Sequence, residues 1–170
     1  MTVSMRKWID TVRVLTESDQ EHRAALDQTG FWGRRGAGCV FLAQATRRFC
    51  IAHRSDLVEQ PNTWGTWGGA IDSNESPEAA VRREAHEEAG YNGDIELLPL
   101  YVFKHSSGFQ YHNFLALVTR EFDPVMDWET QGYGWFEWGK WPSPLHPGLQ
   151  ALLADPSSAS IMQHAATSAK

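Results

Sequence analysis

Three glutamates, Glu84, Glu87 and Glu88, stand close together in the segment "RREAHEEAGY". At helical spacing they fall within one arc, which borders the apolar positions Val81 and Ala85. Two carboxylates roughly 5 Å apart repel each other by about 3 kcal/mol where the effective dielectric is about 20. A bound divalent cation would turn that repulsion into binding energy, so this arc is a candidate metal site.

The ligand types favour a hard cation. Carboxylate oxygens, with a carbonyl from the glycine-rich segment before them, suit Mg²⁺ or Mn²⁺ rather than zinc, which prefers His and Cys. The sequence holds seven histidines, and no two of them form a His-x-x-x-His pair. The alternative is an ordinary solvated face, since like charges on an exposed helix cost only about 0.2–0.5 kcal/mol per pair. Spacing alone leaves both interpretations open.

Capping signals predict the helix that carries these acids. Ser76 is a suitable N-cap, Pro77 suits the first helical turn, Glu78 suits the positive end of the helix dipole, and Gly90 is a typical C-terminal stop. The preceding "NTWGTWGGAID" is rich in glycine and has no helical period, so it predicts a loop with a short strand.

The rest of the chain alternates strand and helix signals. Apolar runs predict two hairpins, a helix that opens at a capping box and stops at Gly30, two further strands and a late short helix. The first hairpin is "GAGCVFLA" with "RRFCIAHR", and the second is "DIELLPLYVFKHSSGFQYHNFLALVTREF". The helix with the capping box begins at "SDQE", the two further strands are "WIDTVRVL" and "YGWFEWGKW", and the late helix is "HPGLQALLAD". This mixture predicts an α/β sandwich in which a sheet lies between helices.

Length and composition predict one domain. A chain of 170 residues is long enough for a single core, which we place at residues 1–155. Residues 156–170 are rich in Ser and Ala, and we expect a loosely ordered tail there. Cys39 and Cys50 lie in apolar runs, which favours buried free thiols.

Charge and hydropathy exclude some partners. The formal net charge of −6 argues against extended binding to nucleic acid, which needs a basic face. Nowhere is there an apolar run long enough to span a membrane. We therefore expect a soluble, cytoplasmic protein that acts on a small molecule.

Taken whole, the segment from Gly69 to Tyr91 resembles the box that defines the Nudix hydrolases. Gly69 is followed after five residues by Glu75, and after seven more by "REAHEEAGY", so every invariant position of the pattern is present. Ala85 and Tyr91 differ from the larger aliphatic residues that are usual there, but both are packing positions. The resemblance implies an α/β/α sandwich with a mixed β-sheet between its helices.

The resemblance also implies an activity, namely hydrolysis of a diphosphate bond in a nucleoside di- or triphosphate or a nucleotide-sugar by water attack at phosphorus. The cofactor would be Mg²⁺ or Mn²⁺. Carried over by position, the metal ligands would be Glu84, Glu87, Glu88 and the Gly69 carbonyl. Glu84 would also polarise the attacking water, Arg83 would orient the acids, and Glu75 would steady the join between loop and helix. The alternative for Arg83 is an ordinary ion pair with Glu87, one turn away.

Residues outside the box are candidates for substrate contacts. By resemblance, a late acid can act as a base or a further ligand, and Glu129 in "DWETQGYGWF" is the match. Arg34 and Arg35 could reach substrate phosphates, while Trp67, Phe109 and Tyr111 could stack on a base. The alternatives are an exposed loop acid for Glu129 and core or surface packing for the other residues.

The substrate stays open at this stage. An RNA 5′ end or a dinucleoside polyphosphate is an alternative, and the lack of a basic tract weakens the RNA case. A different class is a non-catalytic Nudix-fold module that senses nucleotides or binds a partner, although the glutamates of such modules are usually eroded. By family habit, the chain could form a homodimer.

Overall fold

The computed structural model describes residues 17–168. The elements in that range are α1 Glu17–Thr29, β1 Arg35–Ala43, β2 Arg48–Arg54, β3 Trp64–Gly65, β4 Trp67–Ala70, α2 Pro77–Ala89, β5 Glu96–Lys104, β6 Gln110–Val118, β7 Thr130–Phe136, α3 Pro147–Ala154 and α4 Pro156–Thr167. The strand predicted over residues 8–15 lies outside the described range. None of the helices in this range is long and apolar enough to cross a membrane.

Strand β1 is central to a mixed sheet. It pairs in parallel with β6, from Arg35 opposite Gln110 to Ala43 opposite Val118. Its first half pairs antiparallel with β4 and its second half with β2. Strands β3 and β7 pair with β2, and β5 pairs with β6. Both predicted hairpins, β1 with β2 and β5 with β6, are confirmed.

The two faces of the sheet bury different helices. Along β1, Cys39 and Phe41 pack in one cluster with α2, whereas Val40 and Leu42 pack in another with α3 and α4. This alternation follows from the strand period, which sends successive side chains to opposite faces. The predicted helix, sheet, helix sandwich is therefore confirmed.

The two cysteines lie inside these clusters. Cys39 and Cys50 are free and buried, as predicted. Burial raises the pKa of both thiols far above the ordinary range, so they stay protonated and act as small apolar side chains.

Helix α2 begins and ends at the predicted residues. The Ser76 hydroxyl accepts a hydrogen bond from the Ala79 N–H at 3.1 Å, and Pro77 occupies the first turn. Gly90 ends the helix with φ 64°, a left-handed conformation that glycine adopts without steric cost. The capping groups thus define the two ends of the helix that carries the candidate metal ligands.

The prediction of a loosely ordered tail is wrong. Helix α4 covers Pro156–Thr167, with Asp155 as its N-cap accepting from the Ser158 N–H at 2.8 Å. Met162, fully buried, fills the sheet face beside α3. The Ser158 hydroxyl also accepts from the Tyr101 N–H of β5 at 2.8 Å. Small polar composition suggested disorder, but Met162 and Ala166, one turn apart, form an apolar stripe that the sheet buries.

Candidate active site

The glutamates of α2 border the buried side of that helix. Glu84 and Glu88 are only 9 % and 8 % exposed, while Glu87 is exposed. The neighbouring Val81 and Ala85 lie in the core cluster below. Two of the three acids are thus held where water solvates them poorly, as the helical arc predicted.

Arg83 connects these acids to the loop before the helix. Its Nε and Nη2 each donate to a different Glu75 oxygen at 2.9 Å, and Nη2 also donates to the Ala70 carbonyl at 2.9 Å. Its Nη1 donates to Glu84 at 2.8 Å and to Glu87 at 3.2 Å. The contacts with Glu75, Glu84 and Ala70 go beyond the simple pairing with Glu87 that was the alternative.

Glu75 ties the loop to the helix. Besides binding Arg83, its Oε1 accepts from the Asp72 N–H at 3.1 Å. The hydrogen bonds from Arg83 lower the pKa of Glu75, so this carboxyl stays charged at neutral pH. The loop between β4 and α2 is therefore held by a charged group at its end.

Burial has the opposite effect on Glu84. Desolvation raises the pKa of Glu84 to about 7, although the hydrogen bond and charge of Arg83 oppose the shift. The charges of Glu87 and Glu129 add to it. The carboxylate of Glu84 is thus short of positive charge.

Glu88 is in a similar position. Burial, followed by the charges of Glu129 and Glu84, raises the pKa of Glu88 well above its ordinary value. The Gly68 N–H donates to Glu88 Oε2 at 2.8 Å and opposes the shift. One backbone donor does not balance a buried carboxylate beside two other acids.

Gly69 makes room for Glu84. A Cβ at Gly69 would lie 2.6 Å from Glu84 Oε1 and 3.0 Å from its Cδ. Glycine at this position therefore lets the carboxylate lie directly against the β4 backbone, next to the carbonyl that the sequence nominates as a ligand.

Glu129 approaches the same acids from outside the helix. Among the neighbouring charges, that of Glu129 contributes most to the raised pKa of Glu88, and it also contributes to the raised pKa of Glu84. Its backbone is fixed on both sides, since Asp127 Oδ1 accepts from the Glu129 N–H at 2.9 Å and the Ser55 N–H donates to the Glu129 carbonyl at 2.9 Å. Tertiary folding therefore brings this loop acid to the helix, which a role as a base or a further ligand requires.

The donor set fits a hard divalent cation. Glu84 and Glu88 are buried carboxylates, which are hard oxygen ligands, and Arg83 is shared among Glu75, Glu84 and Glu87. Between residues 17 and 168, no three His, Cys, Asp or Glu side chains converge closely enough to hold a metal. Arg83 donates hydrogen bonds to Glu84 and Glu87, and the Gly68 N–H donates to Glu88, so each nominated carboxylate has a protein donor.

The nominated substrate residues are dispersed. Arg34 and Arg35 are exposed at the start of β1, where they remain candidates. Trp67 is not placed to stack on a substrate, because it is 1 % exposed and packs edge-on against Phe41 in the core. Its glycine-rich surroundings suggested an open site, but the side chain points into the sheet–helix interface.

Phe109 is also enclosed by protein, and Tyr111 is half-buried. Phe109 is 7 % exposed and stacks on Phe31, with ring centroids 4.2 Å apart. The Tyr111 hydroxyl is 3.0 Å from Thr66 Oγ1. The Tyr111 ring packs so closely on Gly36 that a Cβ on this glycine would lie 2.6 Å from the ring atom Cδ2. For Trp67 and Phe109 packing is thus the observed role, and Tyr111 packs over the glycines of β1.

Three residues near the site were not predicted from the sequence. Asp127 positions the backbone of Glu129, and its charge also acts on Glu88. Asp72 Oδ2 lies 3.7 Å from Arg83 Nε, and Asp72 Oδ1 lies 3.7 Å from His22 Nε2. Asp127 could have been suspected from its place in "DWET", whereas His22 is distant in the chain and only folding reveals it.

Comparison with known proteins agrees with this geometry. A family model described as "NUDIX domain" matches residues 32–155. A Mycobacterium tuberculosis protein named "Putative 8-oxo-dGTP diphosphatase 3" is 32 % identical over an alignment of 132 residues, and the match covers 71 % of this chain and 61 % of that protein. The chain therefore spans about three fifths of the length of this relative.

Solved structures show the same fold. A Nudix hydrolase from M. smegmatis is 26 % identical with a TM-score of 0.63, and the match covers 82 % of this chain and 91 % of that one. A MutT Nudix hydrolase from Burkholderia pseudomallei is also 26 % identical, with a TM-score of 0.58 and coverage of 71 % and 95 %.

Proposed function

The chain belongs to the Nudix hydrolase family, and from that premise we propose that it is a metal-dependent pyrophosphohydrolase of nucleotide substrates. The observation that carries the proposal is the pair of buried, undercompensated carboxylates on α2, Glu84 and Glu88, held beside Arg83. A binding module that had lost its chemistry would have no reason to keep such an electrostatically costly arrangement intact.

The metal would be held by Glu84, Glu87, Glu88 and the carbonyl of Gly69. When bound, Mg²⁺ or Mn²⁺ supplies charge neutralisation for the pyrophosphate and acidifies water that is to attack phosphorus. A substrate that carries several negative charges could not approach these carboxylates without such neutralisation. The acids of α2 therefore serve substrate binding as well as hydrolysis.

The remaining residues of the site orient and exchange protons. Arg83 holds Glu84 and Glu87 in place through its fork of donors, and Glu75 holds Arg83. Glu84 and Glu129 are the candidates to accept the proton of the attacking water.

We propose a nucleoside di- or triphosphate, or a nucleotide-sugar, as the substrate class. The name of the M. tuberculosis relative makes an oxidised purine deoxynucleoside triphosphate the first compound to test. An RNA 5′-triphosphate end and a dinucleoside polyphosphate follow as further substrates, so that one panel separates the alternatives.

The test is turnover of this panel with Mg²⁺ or Mn²⁺. The release of nucleoside monophosphate, together with phosphate or pyrophosphate, is what is measured. In H₂¹⁸O, attack at phosphorus puts the label into one of the phosphate products. Glu88→Gln and Glu87→Gln should lower kcat by about 100-fold or more, since each removes a nominated ligand charge. Glu78→Gln, an exposed acid on the first turn of the same helix, is the matched control and should stay within about twofold of wild type.

A wild-type protein that binds nucleotides but hydrolyses none of the panel would overturn the enzyme proposal in favour of a sensor or interaction module. Equal activity in wild type and Glu88→Gln would overturn the assignment of the metal ligands.

A further inference from the structure

Helix α1 lies outside the region that the family model matches, yet it touches the loop that leads into α2. The Ser73 hydroxyl donates to Glu21 Oε2 at 2.9 Å. On the next residue of α1, His22 Nε2 lies 3.7 Å from Asp72 Oδ1, an ion-pair distance when the imidazole is protonated. Two successive residues of α1 thus contact two successive residues of the loop.

The contact continues from the loop to the candidate catalytic residues. Asp72 faces His22 with one carboxylate oxygen and Arg83 with the other, each at 3.7 Å. The Asp72 N–H donates to Glu75, and Glu75 binds the Arg83 fork. The charge of His22 also contributes to lowering the pKa of Glu75. A series of contacts therefore links α1 through Asp72 to Arg83, which binds Glu84.

Helix α1 is anchored independently of this loop. The Gly33 N–H donates to the His22 carbonyl at 3.2 Å, with Gly33 at φ 78°. A Cβ on Gly33 would lie 2.9 Å from the Ala70 Cβ, so glycine permits the chain to pass close to β4. Phe31 stacks on Phe109 at the end of the β5–β6 hairpin. Residues 17–33, which we call the N-terminal strap, thus contact β4 at Ala70 and the β5–β6 turn at Phe109. We call residues 71–76, between β4 and α2, the catalytic loop.

We propose that the N-terminal strap positions the catalytic loop, with Glu21 and His22 as positioning residues for Asp72 and Ser73. The inference rests on the proposed function, because it concerns the placement of the same Arg83 and glutamates. Ser73 is exposed and the Asp72 side chain is 40 % exposed, so these two residues have little burial of their own to hold them. Contacts from the strap supply that restraint, and small displacements of catalytic groups are costly to turnover.

The experiment compares Glu21→Ala and His22→Ala with wild type, using Asp27→Ala, an exposed acid on the same helix, as the matched control. Hydrogen exchange is measured without substrate at the amides of Ile71, Asp72 and Glu75. Each of these amides is hydrogen-bonded, to Arg35, Glu75 and Asp72 respectively, so its exchange reports loop opening. Exchange of α1 amides shows whether the helix stays formed. Mn²⁺ affinity and kcat complete the comparison.

Residues that hydrogen-bond metal ligands typically contribute about 10- to 100-fold to metal affinity or activity. The strap contacts the residues that orient the ligands rather than the ligands themselves, so we expect kcat and Mn²⁺ affinity to fall about threefold to tenfold. Exchange at the loop should be about tenfold faster, with KM nearly unchanged. His22→Gln, whose amide can donate to Asp72, should restore most of the loss.

Loop exchange equal to that of Asp27→Ala would overturn the proposal. So would faster loop exchange with unchanged Mn²⁺ affinity and kcat, since α1 would then be structural only. A wild-type protein that hydrolyses nothing overturns the proposed function instead, and the exchange and Mn²⁺ comparisons still decide whether the strap orders the loop.

Discussion

Arg83 and Glu75 form a bidentate pair, in which Nε and Nη2 of the guanidinium each donate to a separate carboxylate oxygen at 2.9 Å. The fork has nitrogen donors left over, and these reach the Ala70 carbonyl and the acids of α2. A planar group with several fixed donors can orient several acceptors at once, which a single ammonium cannot.

Arg83→Lys should therefore lower kcat/KM by about 10- to 100-fold, because lysine keeps the charge but loses the fork. The matched control is Arg82→Lys, since Arg82 is exposed and donates to the Ile95 carbonyl, away from the acids. Steady-state kinetics of both variants decide the matter. Similar activities for the two variants would mean that charge alone, and not the shape of the fork, matters at Arg83.

Gly69→Ala should impair the metal site more than the fold. The new Cβ would lie 2.6 Å from Glu84 Oε1, and Glu84 is held in place by Arg83, so the carboxylate must be displaced. We expect Mn²⁺ affinity and kcat/KM to fall at least about tenfold. Gly132→Ala in β7 is the control, because its Cβ would meet nothing nearer than 3.5 Å. Wild-type Mn²⁺ affinity in Gly69→Ala would contradict the prediction.

Glu84→Gln should stabilise the metal-free protein at alkaline pH. Burial raises the folded pKa of Glu84 to about 7 from an ordinary 4.5. The folded state therefore binds the proton more tightly, and stability is lost as pH rises between these values. In chelator at about pH 8, Glu84→Gln should be more stable than wild type by about 1–3 kcal/mol, and the difference should nearly vanish at about pH 5.

Denaturant unfolding at the two pH values measures this effect. Glu87→Gln serves as the control, since the Glu87 side chain is 57 % exposed and its removal should leave stability nearly unchanged. Lower stability of Glu84→Gln at about pH 8 would show that the carboxylate is already well compensated without metal.

His146 should make the fold sensitive to acid. Its Nδ1 accepts from the Gly148 N–H at 2.9 Å as the N-cap of α3, and burial together with Arg54 lowers its pKa to about 4 from 6.5. Because the pKa of His146 is lower in the folded state than in the unfolded state, the unfolded state takes up the proton first as pH falls. The stability that is present above the unfolded pKa is therefore lost as pH falls toward about 4. Wild type should lose about 1–2 kcal/mol from this group in that window.

His146→Asn keeps a capping acceptor without a titrating ring, so its unfolding free energy should depend less on pH between about 6.5 and 4. The exposed His164→Asn variant on α4 is the control and should keep the wild-type slope. Chemical unfolding across this range gives the comparison, and equal slopes for His146→Asn and wild type would count against the assignment.

Local signals were sufficient for the helix that carries the candidate ligands. Ser76 and Gly90 define its ends through hydrogen bonds and backbone angles that involve only near neighbours, so the sequence predicted them correctly. The spacing from Gly69 to Tyr91 was likewise enough to indicate the family, because it depends on residue identity and order alone. Apolar runs joined by turn segments predicted the hairpins for the same reason.

Burial and long-range contacts were decided only by the tertiary structure. Trp67 and Phe109 have the chemistry of stacking residues, but packing against Phe41 and Phe31 determines what they do. The tail composition concealed α4, whose stability comes from a sheet face contributed by distant strands.

The candidate site itself shows the same division. The sequence alone determined which carboxylates lie on one helix arc, while their spacing left a cation site and a solvated face both open. Only folding brought Glu129 from a late loop to those acids, and His22 of α1 to Asp72 in the loop that precedes them. Chain order cannot reveal such contacts, because the distance between two charges depends on how the whole sheet and its loops pack together.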